Sequence, residues 1–104
     1  MSITIETNGA TECVSLVGEL TIFTVSEIWQ SMWRLFEGTN EIEIDLQGVS
    51  EIDTSGIQLL ALVKMAVEKR GRSARFVNHS KEVVDVIEMF DLASNFGDPL
   101  VLNS

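Results

Sequence analysis

Thr54 and Ser55 are adjacent hydroxyls set between an acid, Asp53, and a glycine, Gly56. The stretch Glu51-Ile52-Asp53-Thr54-Ser55-Gly56 lies between an alternating run, Glu41 to Leu46, and the longest helical pattern, Ile57 to Arg70. A hydroxyl at a strand-to-helix switch can do three things. It can cap the helix by accepting a backbone N–H. It can act as a nucleophile if a base activates it. It can accept a modification whose charge a partner reads. Capping by Thr54 or Ser55 is the commonest use of such residues, so the rest of the chain has to separate the three.

Nucleophilic catalysis lacks companions. Ser55 has no evident base and no oxyanion loop. His79, the one histidine, stands at another strand-to-helix corner without a nearby Cys or His, which suits a loop residue better than a metal ligand. The glycines at 18, 38, 48, 56, 71 and 97 are isolated and form no phosphate loop. An aspartyl-phosphate receiver built on Asp53 requires further acids after the first strand, and Thr7-Asn8-Gly9 stands there instead. No enzyme activity, metal or cofactor is expected.

The elements that position the hydroxyls follow from periodicity. Ser2 to Glu6 and Cys13 to Val17 alternate and flank an Asn-Gly turn, which predicts a hairpin. Thr24 and Glu27 have the spacing of a capping box. Val25, Ile28, Trp29, Met32, Leu35 and Phe36 then repeat at helical spacing, with Trp33 at the stripe's edge and Gly38 as the stop. Glu41 to Leu46 puts three apolar residues on one face and three acids on the other. A strand covered by helices on both faces would be apolar throughout, so the pattern predicts helices on one face only.

The second helix, Ile57 to Arg70, should pack Leu59, Leu60, Leu62, Val63, Ala66 and Val67 on the sheet. Ile57, Ala61 and Met65 form a separate i, i+4, i+8 line among polar neighbours, readable as plain surface or as a partner's contact strip. Ala74 to Asn78 is a further strand. Ser80 caps a third helix with Val83, Val86, Ile87 and Phe90 inward. Leu92 and Phe96 should tuck onto the core, and Leu100 to Leu102 forms an edge strand after Pro99. The expected order is β-β-α-β-α-β-α-β: one α/β domain over residues 1–104 with a mixed sheet.

Sixteen acids against seven bases give a net charge of −9. That sign opposes direct binding to nucleic acid and to anionic membrane surfaces. The single cysteine, Cys13, allows no internal disulfide, and the first residues lack the pattern of a signal peptide. The longest uninterrupted apolar run, Leu59 to Val63, is far too short to insert in a membrane. A reduced compartment, the cytoplasm, is expected.

Gly18-Glu19-Leu20 after the second strand, Asp53-Thr54-Ser55-Gly56, and Gly71 after the following helix together resemble a STAS domain, the sulfate-transporter and anti-sigma-antagonist family. The resemblance covers nearly the whole chain. It implies a bacterial anti-sigma-factor-antagonist-like protein, whose partners are an anti-sigma factor with serine-kinase activity and a phosphatase. By position it assigns the phosphate acceptor to Ser55, with Thr54 as second choice. It places the docking surface on Leu20, Thr21, Ile22 and Phe23, on Asp53 to Gly56, and on the helix side carrying Ile57, Gln58, Ala61 and Met65. The family commonly has an acid where this chain has Thr21. A second branch of the family consists of structural subunits that clasp the ATPase of a lipid-transport ABC system. Their motif resembles Asp-Thr-Gly-Gly, which makes Thr54 the matching hydroxyl.

Overall fold

The computed structural model describes residues 2–38 and 40–90. β1 (Ser2–Asn8) and β2 (Thr11–Leu20) form the hairpin, antiparallel, with Asn8 opposite Thr11. Gly9 opens the two-residue connection with φ +64°, a left-handed backbone that a residue without a Cβ adopts freely. α1 (Val25–Met32) runs on into a 3₁₀ turn (Trp33–Glu37). β3 (Glu41–Ile52) returns parallel to β2. α2 (Thr54–Glu68) leads to β4 (Ala74–Val77), parallel to β3, and α3 (Lys81–Phe90) follows. The strands lie in chain order in one four-stranded mixed sheet. The edge strand expected at 100–102, the tuck of Leu92 and Phe96, and the side chain of Phe90 lie outside the described residues.

The one-sided core follows from the alternation. Val14, Leu16, Ile42, Ile44 and Leu46 are buried on one face, while Glu41, Glu43 and Asp45 remain wholly or partly exposed on the other. Ile28, Met32, Leu60, Val63, Val67, Val83 and Ile87 close over the apolar face from the three helices. Each such side chain contributes about 1.5–3 kcal/mol by leaving water. The Ser80 hydroxyl accepts the Val83 N–H at 3.2 Å, the cap expected of it. A buried Arg72 ties the 3₁₀ turn to the entry of β3, donating from Nη1 to the Leu35 carbonyl at 2.6 Å and from Nε to that of Asn40 at 2.7 Å.

β3 is twice as long as its alternating run. Its pairing with β2 shifts between Ser15 and Val17 and again between Gly18 and Glu19, so β3 carries two extra residues. Each bulge breaks the two-residue period, which is why the alternation fades after Leu46 although the strand continues to Ile52. The first shift brings Gly48 under β2. A Cβ there would lie 2.8 Å from Val17 Cγ2 and 3.0 Å from the Leu16 carbonyl oxygen. The second shift leaves Leu20 beside Ile52, so that the ends of β2 and β3 meet where the hydroxyls begin.

Two helix assignments are corrected. Ile57, expected on an exposed line, is 6% exposed and belongs to the core, whereas Leu62, expected in the core, is 51% exposed. The reason is angular. A line of residues four apart drifts about 40° around the helix per step. It therefore starts at the buried edge with Ile57, passes half-buried Ala61, and reaches open surface only at Met65. Leu62 lies two residues from Leu60, about 200° around the helix and so on the opposite side. Ile57→Ala should cost about 2–5 kcal/mol, whereas Met65→Ala should stay within about 0.5 kcal/mol. Urea unfolding of the two variants measures both values.

Candidate functional site

α2 begins at Thr54, and its cap is neither hydroxyl. Asp53, in extended backbone conformation, accepts the Gly56 N–H on Oδ1 at 3.0 Å. Its Oδ2 accepts the N–H of Ile22 at 3.0 Å, and its own N–H donates to the Leu20 carbonyl at 3.3 Å. One carboxylate therefore caps the helix and holds the loop after β2. Relieved of capping, the Thr54 and Ser55 hydroxyls make no hydrogen bond to the described residues.

Loop 21–24 is fixed from its other side too. The expected capping box does not form. The Thr24 hydroxyl instead turns back to donate to the Glu19 carbonyl at 2.9 Å and accepts the Thr21 N–H at 3.0 Å. Thr21 is buried, and its Oγ1 accepts the Phe23 N–H at 3.4 Å. The result is a tight turn that projects Ile22 (60% exposed) and Phe23 (90% exposed) into solvent.

Gly56 is the tightest point of the site. A Cβ on it would collide with the Leu20 carbonyl oxygen and lie 2.9 Å from both Leu20 Cγ and Ile52 Cγ1. This close approach seats the first turn of α2 on the ends of β2 and β3. Leu20, Thr21, Gly56 and Ile57, expected as contact residues, are therefore buried framework beneath the surface.

The surface itself is a groove of about 380 Å³ between α1 and α2, lined on one side by Ile22, Val25, Ser26 and Trp29 and on the other by Ser55, Gln58, Leu59 and Leu62. Ser55 is half-buried in its wall, while Thr54 is exposed outside the lining. Of the expected contact residues, Ile22, Ser55 and Gln58 meet here. Trp29 and Leu62 were assigned to the core by spacing; they stand partly exposed and join the groove. Leu62's place opposite Leu60 was the available signal.

An acidic pair lies at the ends of the same strands. Glu19 and Glu51 are register partners across β2 and β3, and a hydrogen bond and repulsion from Glu19 raise the Glu51 carboxyl above its ordinary pKa, with a smaller push from Asp53. Among the described residues no cluster of His, Cys, Asp and Glu is arranged to hold a metal ion, and no helix is long and apolar enough to cross a membrane.

A family model described as "Mlab, STAS domain" matches residues 3–102, and the chain belongs to the STAS domain family. None of the curated proteins matches it in sequence. Among solved structures it resembles an anti-sigma factor antagonist from Mycobacterium paratuberculosis (TM-score 0.78, 20% identity, 98% of this chain and 88% of that one). It also resembles the Bacillus anti-sigma factor antagonist SpoIIAA. The unphosphorylated form gives TM-score 0.72, 22% identity and coverage of 98% and 91%; the phosphorylated form gives 0.68, 19%, and 98% and 95%. A murine Solute Carrier 26 anion transporter contains a similar unit (TM-score 0.66, 24% identity, 81% of this chain and 14% of that one). At these identities the likeness is one of fold.

Two outcomes follow from the geometry. Asp53→Ala removes both acceptors and should cost about 1–3 kcal/mol, with faster amide exchange at Ile22 and Gly56 by NMR. Glu51 binds its proton more tightly in the folded state, so folding is favoured at low pH and loses that contribution as pH rises above about 4.3, the ordinary glutamate value. Glu51→Gln should therefore raise the urea midpoint at pH 7 and leave it unchanged at pH 3.5.

Proposed function

We propose that the chain is a regulatory protein-binding module of the anti-sigma-factor-antagonist kind, switched by phosphorylation of Ser55 by a partner serine kinase and reset by a phosphatase. One observation carries the reading: Ser55 lines an apolar groove with a hydroxyl that makes no hydrogen bond among the described residues. The fold match to SpoIIAA, a protein solved with and without phosphate, supports it. A bacterial cytoplasm is the fitting setting. The acidic balance of −9 suits a protein partner rather than nucleic acid.

In the transfer, Ser55 Oγ attacks the γ-phosphorus of ATP held by the kinase. The Oγ–P bond forms, the bond to the bridging oxygen of ADP breaks, and the hydroxyl proton passes to a base of the kinase. The product adds about −1.5 to −2 charge at the first turn of α2. A helix N-terminus favours an anion there by about 0.3–1 kcal/mol, and the neighbouring Asp53 carboxylate opposes it. The domain stays folded. The effect falls on binding, because a hydrated dianion now stands in the wall against which a partner must pack, and stripping its water is costly.

A second reading is a structural subunit that clasps the ATPase of a lipid-transport ABC system. It is favoured by Thr54, that branch's hydroxyl, which is exposed and makes no hydrogen bond among the described residues, and by a family model described by the name Mlab. Under that reading Thr54→Ala weakens ATPase binding and Ser55→Ala does not.

Calorimetry with the cognate kinase tests the switch. Ser55→Ala should bind like the unphosphorylated protein, and Ser55→Asp about a hundredfold more weakly, a difference of about 2.7 kcal/mol. Equal affinity of the two variants would remove Ser55 phosphorylation from the account, as would failure of the kinase to transfer labelled phosphate to the wild type but not to Ser55→Ala.

A further inference from the structure

The groove does not end at Leu62. A second concavity of about 530 Å³ shares Trp29 and Leu62 with the first and continues past Met65 and Ala66 to Lys69 and Arg70. From Ser55 to Lys69 the trough follows α2 for about 20 Å. We infer that its lower half, from Trp29 and Leu62 to Lys69 and Arg70, docks an acidic, apolar amphipathic segment of a partner protein.

Leu62 is 51% exposed, Met65 64% and Trp29 36%. Exposed Trp and Met side by side are the residue types that anchor protein interfaces. Charge identifies the occupant. The chain carries only seven bases against sixteen acids. Arg72 is buried on backbone carbonyls, Arg75 pairs with Glu43, and Lys64 pairs with Glu68 at 3.8 Å. Lys69 and Arg70 stand together at the trough's end, and Arg70 Nη1 donates to the Ala66 carbonyl at 3.3 Å, which keeps the guanidinium against it. Glu68 also lines the trough, with Lys64 as its partner, so the two cations outnumber the one acid and the local sign is the reverse of the global one.

Cations near a helix C-terminus also offset its dipole, but that role does not call for exposed Leu, Met and Trp beside them. A second copy of this chain would bring net charges of −9 together. An anionic bilayer would be repelled by the same surplus. A helix with apolar residues at i, i+3, i+4 and i+7 and carboxylates at its flank meets both the apolar trough and its cationic end. The inference names the partner's docking chemistry for the surface proposed above. It does not depend on the state of Ser55.

The test titrates the full chain, in a Trp33→Phe background so that Trp29 reports alone, with a synthetic Leu- and Glu-rich amphipathic peptide and with its twin carrying Lys for Glu. The Glu peptide should give a saturable blue shift of Trp29 emission. Its affinity should drop about tenfold or more in Lys69→Glu/Arg70→Glu, a variant that should favour the Lys twin instead. Leu62→Asp, at an exposed position, should abolish the shift while the circular dichroism stays native. Equal binding of the two peptides overturns the inference, as does indifference to the charge reversal. So does a shift seen only with phosphatidylglycerol vesicles, or dimerisation in sedimentation that Leu62→Asp removes. Ser55→Asp separates the two readings: peptide binding that survives while kinase binding is unswitched sinks only the Ser55 proposal.

Discussion

The site depends on one carboxylate serving two chain segments. Asp53 closes the first turn of α2 through Oδ1 and holds the Ile22 N–H through Oδ2, each at 3.0 Å. A hydroxyl could satisfy the first donor, since Ser and Thr cap helices about as well as Asp. The carboxylate offers a separate oxygen to each donor and so holds both. Because the acid takes the cap, the hydroxyls that follow are not needed for it, and they make no hydrogen bond among the described residues. The same bond pair sets the spacing between the Ile22 turn and the start of α2, which is the head of the groove.

That arrangement is possible only because strand and helix approach so closely. The two extra residues in β3 carry Ile52 level with Leu20, and Gly56 lets the α2 backbone sit directly on the Leu20 carbonyl. Interior packing leaves no slack for a methyl group at such a contact. Rigid framework and open surface are therefore adjacent: Leu20, Thr21, Gly56 and Ile57 lie beneath, and Ile22, Phe23, Ser55 and Leu62 lie on top. A partner of the kind proposed would meet a surface already formed, which lowers the ordering cost of binding.

The electrostatics divide along the same line. Repulsion between Glu19 and Glu51, register partners at the ends of β2 and β3, is tolerated in full solvent. The cations Lys69 and Arg70 are confined to the other end of α2. Repulsion at the one end and exposed apolar surface along the groove are features that folding alone does not select.

The sequence by itself determined the order of elements, the one-sided sheet and the place of the hydroxyls, because period-two and helical patterns report which face is buried without knowledge of the partner element. It placed Ser55 at a helix start correctly but left the cap undecided, since Asp53, Thr54 and Ser55 are all good caps and only the position of the Ile22 N–H selects among them. It misplaced Ile57 and Leu62, because a helix stripe drifts around the axis and its buried arc is set by where the neighbouring elements lie. Beyond Leu62's place opposite Leu60 it held no sign of the groove, whose two walls, α1 and α2, are separated in the chain by the whole of β3. Those features belong to the tertiary structure, for the physical reason that a surface shared by distant segments exists only after the core has fixed their distance.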